Sequence, residues 1–195
     1  MTLNSASSQV LDAIRNRRTV RDFVDRPVPR EVIEAMLESA RWAPNHRHTE
    51  PWRVFVLQKD GDKRRAVANL VSRWTYENVK NPTPERRAQS AEQVRQEVLE
   101  APAFIYVYAI PGPNEEVTRE NYAAAACAVQ NMMLTAHAHG VGAGWSTGKV
   151  CLPPELPALL GAGPAWQMVG ALFIGYPARA PEVQRKAPAE FAVWL

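Results

Sequence analysis

Apolar positions Val10, Leu11 and Ile14 share one helical face, and the basic run Arg15 to Arg21 then breaks the period, which predicts a first helix ending there. After Pro27-Val28-Pro29, residues Val32, Ile33, Met36, Leu37 and Ala40 form an apolar stripe that predicts a second helix stopped by Pro44. WRVFVLQ, Trp52 to Gln58, is strand-like and ends in a Lys59-Asp60-Gly61 turn, after which Val67, Leu70, Val71 and Trp74 resume helical spacing. Thr83 before Pro84-Glu85 is a helix start, and the charged run through Glu100 predicts a solvated helix stopped before Pro102, a candidate lid.

Ala103 to Ile110 is continuously apolar and rich in β-branched or aromatic residues, as a buried strand should be. A turn at Pro111-Gly112-Pro113 follows. Glu116 to His139 predicts one long helix, apolar on nearly every face from Tyr122 to Leu134 and therefore buried through the domain centre, with Gly140 closing it. Trp166 to Gly175 reads as another buried strand. The tail from Pro177 ends in FAVWL, too apolar for water, and is expected to add a β-type segment to its own sheet or a partner's. The order is α+β, with one domain over residues 1–195, no repeat and no linker.

Composition narrows the class. A chain of 195 residues, 46% hydrophobic and 22% charged, supports one well-buried core. No apolar run reaches the length of a membrane span, and MTLNSASSQV lacks the layout of a signal peptide, so a cytoplasmic protein without membrane partners is expected. Cys127 and Cys151 are far apart and read as reduced thiols, neither of them a nucleophile. A net charge of +3 is dispersed among acids along the chain, so no nucleic-acid partner is expected.

Three clusters carry candidate chemistry. Gly140-Val141-Gly142-Ala143-Gly144 has the wrong context for a dinucleotide fingerprint, because a helix precedes it. It reads as a tight helix-to-strand connection, or as glycines that let a flat ligand approach the backbone. Arg17-Arg18-Thr19-Val20-Arg21 either complements a helix dipole or, with Arg185-Lys186 in the tail, forms an anion cradle. In RWAPNHRHTEPW, His46 and His48 lack the further ligands of a metal site, so none is expected; a general base or a loop histidine packed on tryptophan remain.

These stretches together resemble the flavin-dependent nitroreductase family. NRRTVRDF (Asn16 to Phe23) is similar to its opening R-R-S-x-R element, and WAPNHRHTEPWRVFVL (Trp42 to Leu57) to its A-P-S-x-x-N-x-Q-P-W segment. ACAVQNMMLTAHAHGVGAGWSTG (Ala126 to Gly148) resembles the buried helix and the glycine turn facing the flavin, and FIGYPARAPEVQRK the G-Y-P tail with its basic residues. The wording is nearest to the small, minimal bacterial NAD(P)H nitroreductase-like members. Departures are Asn45 for the usual Ser, His48 for the usual Asn and Glu50 for the usual Gln; a buried Glu50 would need Arg47 or Arg53 as partner.

The resemblance implies a three-layer α/β/α sandwich, with a mixed, mainly antiparallel sheet around a long buried helix, in an intertwined homodimer with FMN at the interface. It implies that Arg17, Arg18 and Thr19 hold the FMN phosphate, ribityl chain or ring edge, that Arg21 lies toward the pyrimidine side, and that Arg185 and Lys186 bind phosphate. Trp145, Ser146 and Thr147 match the turn along the ring, while Trp42 and His46 match a segment presented by the partner subunit; His48 stands at a flavin-contact position. The implied function is an FMN-dependent NAD(P)H oxidoreductase. NADH or NADPH reduces the flavin, and a small planar nitroaromatic or quinone-like acceptor then takes two electrons, with FMN carrying the chemistry and no catalytic side chain required. The alternative is a flavin-binding redox sensor or storage protein without dedicated turnover.

Overall fold

A computed structural model describes residues 5–80, 82–179 and 181–195. Residues 1–4 of the stretch MTLNSASSQV, which lacks the layout of a signal peptide, lie outside the described residues. The elements are α1 (Ser5–Asn16), α2 (Arg30–Ala40), β1 (Trp52–Leu57), α3 (Asp62–Asn78), α4 (Pro84–Glu100), β2 (Ala103–Ala109), α5 (Glu115–Ala138), β3 (Gly142–Ser146), α6 (Leu156–Leu160) and β4 (Gln167–Gly175). The strands form one sheet in the order β1-β2-β4-β3, each neighbouring pair antiparallel. Outside these strands, an isolated parallel bridge joins Thr19 to Ala143.

Alternation along β2 and β4 sends side chains to two cores. On one face Ile105, Val107, Leu172 and Ile174 pack under α2 and α5; on the other Phe104, Tyr106, Tyr108 and Phe173 pack under α3, α4 and α6. The result is the expected α/β/α sandwich. Strands buried on both faces explain the unbroken apolar runs AFIYVYA and MVGALFIG. The long helix α5 starts at Asn114, whose side chain accepts from the Val117 amide at 2.9 Å. It buries Ala124, Ala125, Ala128 and Ala136, small residues that let it lie close to the sheet.

Helix α4 is seated more firmly than a detachable lid. Ala91, Val94 and Val98 are buried, and the fully buried Arg64 of α3 donates to the carbonyls of Val98 (2.7 Å) and Ala101 at its C-terminal end. Burial pushes the Arg64 pKa down to about 10. Among the described residues, no helix is long and apolar enough to cross a membrane.

Two expectations change, and one element holds. The order of elements predicted three strands, and the structure adds β3, whose glycine-rich sequence GAGWS has weak strand composition. Helix α1 ends at Asn16 as the basic run predicted, with Val10 60% and Ile14 50% exposed on its shared face. The FAVWL tip adds no strand to the chain's own sheet. The open side of β3 already carries the Thr19 bridge, and the tail after the Phe23–Pro177 bridge ends in a short 3-10 turn, Pro188–Glu190, with Phe191, Val193 and Trp194 exposed.

Candidate functional site

The segment after α1 is an arm that lies along β3. The Val20 amide donates to the Ala143 carbonyl at 3.2 Å, and the Val24 amide to Tyr176 at 3.0 Å. A methyl at Gly144 would overlap the Val20 carbonyl oxygen, so glycine there is required for the arm to approach. The room beside Gly142 and Gly144 is taken by Val20, Arg21 and Pro177. Gly140, at φ +71°, closes α5, with its amide on the His137 carbonyl at 2.9 Å. Helix closure and arm seating together place the arginines.

At one end of β3 those arginines form an unmatched positive cluster. Arg17 is half-buried, and its Nε and one terminal nitrogen are buried without a hydrogen-bond partner. Burial first, then the charges of Arg185 and Arg18, push its pKa down. Beside it is a cavity of about 210 Å³ whose walls include Arg17, Arg18, Val20, His137, Gly142 and Pro177, with no acidic side chain. Orphaned donors with no carboxylate in reach are the complement of an anion such as a phosphate. Thr19, on the same arm, is exposed, and Lys186 follows Arg185 on the exposed tail. Arg18 also donates to the carbonyls of Arg15 and Arg17, so part of its guanidinium braces the arm.

The other end of β3 lies four residues on, roughly 13 Å away at strand rise. There Arg21 donates to the Trp145 carbonyl at 3.1 Å and sits 5.1 Å from the centroid of the Phe173 ring. Two adjoining cavities, of about 370 and 210 Å³, share Arg21, Gln93, Glu97 and Phe173. Ser146 lines the second of them, and Thr147 follows on the exposed side. The indole of Trp145 points away from this cleft: its Nε1 donates to the Val169 carbonyl at 3.1 Å and it packs into the core under α5. Its backbone carbonyl, not its indole, meets Arg21. Cys151 donates to the Ser146 carbonyl at 3.3 Å, and burial pushes its thiol up to about 12, which bars it from acting as a nucleophile.

Sequence reasoning missed His137, Gln93, Glu97 and Phe173. For α4 a signal existed, since Gln93, Glu97 and Glu100 recur at i, i+4 and i+7 and so line one face. The family model for the nitroreductase family matches residues 14–176, which contain the arm, both ends of β3 and the glycine turn. The chain belongs to the nitroreductase family. A Bacillus subtilis relative with the provisional name NAD(P)H nitroreductase YfhC is 33% identical over 181 residues, 93% of this chain and 91% of the relative. The nitroreductase-like family protein of Bacillus cereus superposes with a TM-score of 0.82 at 31% identity, covering 100% of this chain and 98% of that one. A provisionally named nitroreductase of Desulfovibrio desulfuricans, solved in complex with FMN, does so with a TM-score of 0.73 at 27% identity, covering 100% and 98%.

The remaining nitroreductase motif, RWAPNHRHTEPW, is held elsewhere. Asn45 Oδ1 accepts from the Glu50 amide at 2.8 Å, and Thr49 donates to Asn121 of α5 at 2.7 Å. His48 and Glu50 have positive φ, 51° and 44°, a conformation that the hydrogen bonds of Asn45 sustain. His46 Nδ1 lies 3.1 Å from Glu120, and Arg47 donates to Glu120 at 2.9 Å and to Glu116 at 3.2 Å. Hydrogen bonds from His46 and Arg47 hold the Glu120 carboxyl below its usual range. Trp42, 73% exposed, donates to Glu38 at 3.0 Å.

This loop therefore docks on the N-terminal half of α5, whereas the Arg17 cavity borders its C-terminal end. Roughly 25 Å of helix separates Glu120 from His137. Within one chain Trp42, His46 and His48 do not meet Arg17, Arg18 or Arg185. Glu50 is exposed, and Arg53 donates to its backbone carbonyl rather than its carboxylate, so the need for a buried partner does not arise. Among the described residues, no group of three or more His, Cys, Asp or Glu side chains is arranged to hold a metal.

Proposed function

We propose that the protein is an FMN-dependent NAD(P)H oxidoreductase that reduces nitroaromatic or quinone-like acceptors in successive two-electron transfers, working as a homodimer. One observation carries this reading. A cluster of guanidiniums with orphaned buried donors stands at one end of β3, and an arginine-bearing aromatic cleft stands at the other. That spacing suits a phosphate joined by a flexible chain to a flat ring. The FMN in the Desulfovibrio relative and the name of the Bacillus subtilis relative support the same assignment.

FMN, when bound, supplies reversible hydride chemistry, and the chain's own residues do the rest. Arg17, Arg18 and Arg185 hold the phosphate, with Lys186 next on the tail, while Thr19 and the backbone of Trp145, Ser146 and Thr147 line the path to the ring. Arg21, fixed by the Trp145 carbonyl, sets positive potential at the ring edge, where reduction builds negative charge. The partner subunit's loop supplies the second wall, presenting Trp42 and His46, with His48 beside them. Nicotinamide donor and planar acceptor then occupy one cleft in turn, with no metal and no nucleic-acid partner. Both cysteines are free, as suits a cytoplasmic protein.

The test begins with the absorption spectrum of the purified protein. A flavin spectrum, bleached anaerobically by NADH or NADPH and restored by a nitroaromatic or a quinone, is the expected result. A colourless protein that FMN cannot reconstitute sinks the reading. A yellow protein that neither nicotinamide bleaches hands the function to a redox sensor or storage protein.

A further inference from the structure

His137 stands in the last turn of α5, half-buried, and borders the positive cluster from both sides. It lines the cavity of about 210 Å³ shared with Arg17 and Arg18, and also an open cleft of about 890 Å³ between Arg18 and the tail segment Pro181 to Gln184. The charged or titratable groups around these spaces are Arg17 and Arg18 on the arm, Glu182 and then Arg185 on the tail, and His139 further along at the end of α5. Gly140 to Ala143 and Pro177 complete the walls without charge.

The arginines stay protonated across the physiological range and hold an anion equally at every pH in it. Imidazole is the side chain whose charge changes between about pH 5 and 8. An arriving phosphate dianion favours the charged form of an imidazole beside it. The carbonyls ending α5 favour a cation at the same place. Proton uptake and anion binding are then linked.

Resting on the FMN reading above, we propose that His137 is a phosphate-binding residue of the cradle that takes up a proton as the phosphomonoester binds, making cofactor retention depend on pH. The sign follows. A proton taken up on binding makes binding tighter as pH falls, until the phosphate itself loses charge near pH 6.

Isothermal titration with FMN and with riboflavin, at about pH 6 and about pH 8.5, compares the full-length wild type with His137→Gln and His137→Lys; circular dichroism checks that each folds. For FMN, the wild type should exceed His137→Gln in affinity by on the order of tenfold at the lower pH and by little at the higher. Riboflavin should show no such difference, and His137→Lys should bind FMN tightly at both values. An equal ratio at the two pH values, or the same loss for riboflavin, overturns the assignment while leaving the FMN reading intact. If the wild type takes up neither flavin, both proposals fall together.

Discussion

Arg17 shows what a site costs a fold at the scale of one residue. Two buried nitrogens without partners and two neighbouring guanidiniums are unfavourable until an anion arrives. Arg17→Ala should therefore weaken FMN binding by on the order of tenfold to a hundredfold, yet leave the urea midpoint of the flavin-free protein unchanged or higher. An FMN dissociation constant equal to the wild type's would remove Arg17 from the phosphate. Arg64 also has one buried nitrogen without a partner, but among the described residues no cavity or second guanidinium beside it is seen to await an anion. It fills a structural role, donating to the carbonyls of Val98 and Ala101 that end α4. Arg64→Met leaves those carbonyls without donors and should lower unfolding stability by about 3 kcal/mol in urea melts. A loss under about 1 kcal/mol would mean that solvent replaces the guanidinium. The basic arm was legible as a cluster, but nothing in DKRRAV marks Arg64 as the buried one, because its burial depends on where α4 comes to rest.

At the scale of elements, periodicity located α2, α4, α5, β1, β2 and β4 within a residue or two, since each buries a regular stripe. It missed β3, which is held by pairing to β4 and by the arm rather than by side chains of its own. On α4, placed as a candidate lid, the individual wall residues Gln93 and Glu97 went unnamed despite their helical spacing, since a polar helix face reads as solvated until something lies across from it. The motif loop poses the contrary problem: its sequence announced function, while its fastening to α5 runs through Glu116 and Glu120, which sequence gave no reason to single out. That fastening is pH-dependent. The Glu120 carboxyl is held below its usual value, so its contribution is present above the ordinary carboxylate range and fades as pH falls through the folded value. Amide exchange of residues 45–50, normalised for intrinsic rates, should therefore speed up below about pH 4 before the core amides of β2 do. Glu120→Gln should show the faster loop exchange already at neutral pH. Loop and core opening together under acid would show that the loop has no separate fastening.

For the whole molecule, the unused apolar surface and the divided site point to the same arrangement. Val10, Ile14, Trp42, Phe191, Val193 and Trp194 are all exposed in a single chain, apolar surface that a second chain could cover. Residues matching one flavin site lie at opposite ends of α5, so a second chain must bring the motif loop to the arm if one site is to hold both. Sedimentation should accordingly give a dimer down to about micromolar concentration or below. A sharper measurement uses two defective chains. Arg17→Ala and the double variant Trp42→Ala/His46→Ala should each lose flavin as homodimers. If each site takes its arm from one chain and its loop from the other, the mixed dimer contains one site with both defects and one with neither. It should then hold one FMN per dimer at wild-type affinity. Were arm and loop to serve the same site from the same chain, both sites of the mixed dimer would stay defective, and tight binding would not return.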